Sequence, residues 1–165
     1  MEIMLAYDHS RNARIALDAI QQMFGPLKPS VTLVSVVEDI GSATADADAL
    51  FTEQYQEQKV GVEAAAAELM AAGLEAKVMI AEGDARKMIL RATEEHQPDL
   101  LVMARHSHQA DGGSLGFIAK KLDAIVEEFD HMTFGSVSAF LARRAKCPIL
   151  IVPTHVPASS MQAAE

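Results

Sequence analysis

Asp8, His9 and Ser10 stand directly behind a short apolar run, Ile3 to Tyr7, and directly ahead of a stretch with helical period. A carboxylate in that place has two uses. Open α/β sheets hold ligands at the carboxyl ends of their strands, where Asp8 would accept hydrogen bonds from a bound molecule. It would equally serve the fold as a turn or helix-capping residue. Gly135 and Ser136 open another helical stretch. A helix start presents free backbone N–H groups, here with a hydroxyl beside them, which is the physics of an anion site. His106, His108 and His131, with Asp111 and Asp130 nearby, would suit a metal. His-x-His on a loop fixes no geometry, however, and neither a cysteine nor a His-x3-His spacing backs it, so no metal is expected. Cys147, ahead of Pro148, reads as a small buried side chain at the start of a strand rather than a redox thiol. No Ser/His/Asp or paired-carboxylate arrangement reaches what catalysis requires.

Periodicity supplies the elements that must position these residues. Ile3 to Tyr7, Val31 to Val37, Leu74 to Ala81, Asp99 to Ala104 and Ile149 to Val152 are apolar runs of strand length. The second and last are uninterrupted, as expected of strands covered on both faces. Apolar residues recur helically from Ala13 to Phe24, closed by Gly25-Pro26, and again from Leu50 to Ala72, with Gly73 as the stop. Gly83-Asp84 opens a third helix that Pro98 ends, and Val137, Phe140 and Leu141 share one face of a fourth. The small, acidic stretch Gly41 to Asp48 is expected to be a surface loop. The nine methionines read as core filler. Strand and helix alternate four times before a last strand, which predicts a single-domain doubly wound α/β fold over 1–153, followed by a flexible tail over 154–165.

The 165 residues suffice for one domain with a substantial core and not for two ordinary ones. Apolar residues make up 50% of the chain and aromatics only 5%, so that core is aliphatic. A net charge of −9 argues against nucleic acid or an anionic membrane as partner. One cysteine permits no internal disulfide. MEIMLAYD lacks the basic region of a signal peptide, and no apolar run approaches the roughly 20 residues of a membrane span. A cytoplasmic protein is the expectation.

The segment GSVSAFLARRAKCPILIVP closely resembles the C-terminal signature of the universal stress protein (UspA-like) family. EGDA, then Ile89 and Ala92, then PDLLVM extend that resemblance over nearly the whole chain. It implies an adenine nucleotide alpha-hydrolase-like sheet of five parallel strands in the order 3-2-1-4-5. It places Asp8 at the aspartate that meets adenine and ribose, with backbone groups near Val36 against the adenine ring. The family's phosphate motif is Gly-x-x-Gly, nine residues, then Gly-Ser. The chain has Ala104 and Ser107 at the two leading glycines, and 27 residues, His108 to Phe134, stand where nine belong. Only Gly135-Ser136 keeps the pattern. Arg105, His106 and His108 are candidate cationic substitutes for the missing phosphate contacts. Family members usually pair through the last strand, which makes Ile149, Leu150, Ile151 and Val152 the expected dimer edge.

The 108–134 insertion has a pattern of its own. Ile118, Leu122, Ile125, Val126 and Phe129 recur at helical spacing behind a glycine-rich start, which predicts an amphipathic helix with one face to bury. That face is expected to pack on the host fold, on a dimer mate or on another protein. The primary expectation is therefore a non-enzymatic universal-stress-type regulatory protein acting as a homodimer, with a degraded nucleotide motif and no firm cofactor. The alternative is an ATP or AMP sensor, or a weak ATPase, with magnesium.

Overall fold

Ser10 starts the first helix: its backbone is extended and its Oγ accepts a hydrogen bond from the Ala13 N–H at 3.1 Å. The helix carries a buried stripe, Ala13, Ala16, Leu17 and Ile20, spaced to lie on one face. The computed structural model describes residues 1–37, 45–105 and 136–153. In chain order these form β1 (Glu2–Ala6), α1 (Arg11–Phe24), a 3-10 turn (Gly25–Leu27), β2 (Ser30–Val37), α2 (Ala45–Ala71), β3 (Glu75–Glu82), α3 (Ala85–His96), β4 (Leu100–Ala104), α4 (Ser136–Arg144) and β5 (Ile149–Val152).

The helix ends follow local chemistry. Gly73, at φ 83, closes α2, its N–H donating to the Met70 carbonyl while the Leu74 N–H reaches back to Leu69. Only glycine takes that left-handed backbone without strain. Asp84 caps α3, its carboxylate accepting from the Arg86 and Lys87 N–H groups. Two expectations fail here. The acidic stretch 41–48 is not all loop, because α2 begins at Ala45; alternating Ala and Asp are good first-turn residues, one for propensity and the other for the positive end of the dipole. Met23 and Met70 are 59% and 53% exposed, so the methionines are not uniformly core filler, although Met4 and Met103 are buried.

The five strands form one parallel sheet in the order β3-β2-β1-β4-β5. Because side chains alternate across a strand, the sheet feeds two cores. Ile3, Leu5, Val31 and Leu33 pack with Leu17 and Ile20 of α1 and Val62 and Leu69 of α2. Met4, Val34, Leu101 and Met103 pack with Ile89 of α3 and Leu141 of α4 on the opposite face. Each fully buried Leu or Ile stabilises by about 1.5–3 kcal/mol relative to exposure. The start of β1 is laced to β4: the Glu2 N–H donates to the Asp99 carboxylate at 2.7 Å, and the Asp99 N–H to the Glu2 carbonyl at 2.9 Å. At the far edge, Ile149, Leu150 and Ile151 of β5 are only half-buried. The amphipathic helix expected around Ile118 to Phe129 lies outside the described residues, as does the tail. No helix among the described residues is long and apolar enough to cross a membrane.

Candidate functional site

The crossover leaving β1 runs toward β2, whereas β4 lies on the other side of β1. The helices therefore part above the carboxyl ends of these central strands, the switch point where such sheets bind ligands. A cavity of about 440 Å³ opens there. It falls in the range of small-molecule sites. Asp8, Val36, Ala104 and Ser136 all line it. Ser107 and Gly135, and His106 and His108 with them, lie outside the described residues. Arg105 is next to the cavity wall in sequence, and its backbone N–H donates to the Val152 carbonyl at 2.8 Å, extending the β4–β5 ladder.

The walls divide by chemistry. Ala6, Val34, Val36, Ile89, Met103 and Ala104 make an apolar lining that suits a flat hydrophobic ring. Asp8 lines the cavity, and its Oδ1 accepts from the Ser10 N–H at 3.0 Å to close the turn. The helix cap itself is Ser10. Ser136, Val137 and Ser138, the first residues of α4, complete the opposite wall. The first turn of α4 contains no acidic residue of its own to oppose the positive end of the helix.

The universal stress protein family model matches residues 1–153. The chain belongs to the universal stress protein family. Its sheet order is that of the family's fold, as solved structures show. It is similar to the hypothetical protein MJ0577, with a TM-score of 0.74 at 20% identity, covering 94% of this chain and 97% of that one. An Arabidopsis thaliana universal stress protein family protein, solved with AMP bound, superposes with a TM-score of 0.63 at 18% identity over 99% and 97% of the two chains. A universal stress protein in complex with cAMP gives 0.62 at 22% identity over 94% and 98%. Among curated proteins none matches the chain.

This universal stress protein also builds its cleft from residues that the motif does not mark. Gln54 and Gln58, one turn apart on α2, reach the cavity. The Ser35 hydroxyl of β2 donates to Gln58 Oε1 at 2.8 Å, which anchors that side chain to the sheet. Gln54 Oε1 is buried with no hydrogen-bond partner among the described residues. In sequence both are ordinary polar helix residues; only the β2–α2 crossover turns them inward. His9 departs from the family's small residue at that place and adopts φ 63. Its ring meets Tyr7 edge-on at 6.2 Å and lies against Gly61 of α2, where any Cβ would collide with it. Among the described residues no group of three His, Cys, Asp or Glu side chains could hold a metal. Burial pushes the Cys147 thiol up, away from the thiolate form that redox chemistry uses.

Proposed function

We propose that this protein is a non-catalytic stress-response regulator that binds an adenine nucleotide, AMP or magnesium-bound ATP, in the β1/β4 cleft. The supporting observation is the cavity itself: four of the six residues expected from the family pattern line one cavity at the switch point. The AMP and cAMP carried by similar proteins are consistent with that reading. The apolar lining takes the base, the Asp8 carboxylate takes a ribose hydroxyl, and the start of α4 faces the phosphate. Arg105, His106 and His108 supply the positive charge that the missing glycines would otherwise replace with backbone N–H groups. Ala104 and Ser107 hold the backbone further from the phosphates than glycine would, so binding is weak and hydrolysis is not the function. The protein pairs with itself along the β5 edge, whose half-buried Ile149, Leu150 and Ile151 gain cover in a dimer. The 108–134 insertion, with the amphipathic pattern of Ile118 to Phe129, supplies the surface for a protein partner.

Thermal melting with AMP and with ATP, each with and without magnesium, tests the reading. A nucleotide at 100 times its dissociation constant adds about 2.7 kcal/mol of stability. Asp8→Ala should remove most of that gain, since Asp8 is exposed and its loss leaves the core intact. No shift with either nucleotide at millimolar concentration, or an unchanged shift in Asp8→Ala, would refute it.

A further inference from the structure

Tyr7, Asp8 and Ser10 line the cleft, and His9 between them does not. Its φ of 63 is a left-handed backbone that few residues other than glycine adopt, and its side chain lies against α2 instead of the cavity. There the ring is seated on Gly61, where it leaves no room for a Cβ, while its edge meets Tyr7 at the end of β1. Gly61 stands one turn beyond Gln58, and Gln58 is tied to the sheet through the Ser35 hydroxyl. The surface that receives the ring is therefore anchored. Asp8 itself is exposed, and the bond from the Ser10 N–H to its Oδ1 lies inside the turn and travels with it. That bond shapes the turn without placing it relative to α2. Further along the same seam Arg14 of α1 pairs with Glu68 of α2, but both are exposed and such pairs hold little. Near the cleft, the His9 ring is what sets the Asp8 turn against the opposite wall.

We propose that His9 is a positioning residue: its ring, seated on Gly61, holds the Asp8 carboxylate where it meets a ribose hydroxyl. This role presupposes that the cleft is a nucleotide site. The preference for a ribose that keeps its hydroxyls then depends on a contact outside the cavity. Displacing the ring by about 1 Å, passed on to the adjacent Asp8, exceeds the span of about 0.5 Å over which a hydroxyl–carboxylate hydrogen bond forms. The apolar lining that takes the base, Val36 and Met103 included, belongs to β2 and β4 and is not carried by the turn. Loss of the wedge therefore removes the ribose contact and leaves the base contact in place.

Isothermal titration with AMP and with 2′,3′-dideoxy-AMP tests this in wild type, Gly61→Ala and His9→Asn, with melting curves to establish that each variant folds. Gly61→Ala displaces the ring and alters no side chain of the cleft; His9→Asn removes the ring and keeps a residue that tolerates positive φ. Wild type should prefer AMP by roughly 10-fold or more, as expected of a hydrogen bond to a charged group. Each variant should bring the two affinities to within roughly 3-fold by weakening AMP alone, with dideoxy-AMP bound as before. In an Asp8→Ala background Gly61→Ala should change neither affinity, because the group it acts through is gone. If Gly61→Ala fails to fold, His9→Asn carries the same expectations. An AMP preference that survives both variants, equal weakening of the two nucleotides, or a further loss in the Asp8→Ala background overturns the role of His9 and leaves the nucleotide site standing. If wild type binds neither nucleotide, both readings fall together.

Discussion

Gly61→Ala is a sharp test of how the cleft-side turn is held. Gly61 is buried in the middle of α2, where alanine would ordinarily gain about 1 kcal/mol in helix propensity. The His9 ring opposes that gain. A methyl at position 61 would sit 2.6 Å from Cε1 and 2.7 Å from Cγ of His9, against an ordinary carbon separation of about 3.5–4.0 Å. The ring must therefore retreat by about 1 Å or swing into solvent, which the exposure of His9 permits. Leaving costs the edge-on contact with Tyr7, about 0.5–1.5 kcal/mol for such an aromatic pair. The two effects nearly cancel, so Gly61→Ala alone should change stability little. In a His9→Gly background the obstacle is gone and the full gain of about 1 kcal/mol should appear. Differential scanning calorimetry of the four proteins in this cycle reads the difference, since 1 kcal/mol moves Tm by about 2–4 °C in a domain of this size. Equal stabilisation by Gly61→Ala in both backgrounds would mean that the ring is not seated on Gly61, and the reasoning would fail.

Two further outcomes are expected. The Arg86 guanidinium, 2.6 Å from Asp84, holds the Asp84 carboxyl at about 2, below its usual 3.8. The stability contributed by this pair is complete above the unfolded value and is lost as pH falls through about 2. Urea midpoints of wild type and Asp84→Asn should accordingly differ at pH 5 and converge through that acid window; a constant gap contradicts the pairing. Ile151→Lys on β5 should abolish dimers in light scattering while circular dichroism stays that of the folded chain, and a wild type already monomeric at micromolar concentration removes the basis for that edge contact.

The fold was legible because the apolar runs are short and separated by helical period, so each strand falls within about a residue of its expected limits. The strand order was not carried by those runs; it came with the family resemblance and appears in the sheet as expected. Ala45 to Asp48 misled because acidity was read as solvation, although the same residues favour a first helical turn. In the site, Asp8, Val36, Ala104 and Ser136 were legible because each sits at the end of a strand or the start of a helix, a place the topology sends to one rim. Gln54, Gln58 and the His9–Gly61 contact were not, since each depends on how the turns of α2 fall along β2 and β3. Helical period marks the buried face and says nothing about its register along the sheet.

The strand order also bears on how the chain is assembled. β1 is the first strand to emerge and the central one in the sheet, with Leu5 opposite Leu33 on one side and Val102 on the other. Its partner on the first side follows after a single crossover. Its second side is completed only by residues nearly a hundred positions later. Until β4 arrives, the edge of the sheet's central strand is bonded to water, and it is as open to a foreign strand as to its own. Of the five strands the one made before the others thus becomes the middle of the sheet with one flank bare, and the closing of that flank is the longest-range pairing in the sheet.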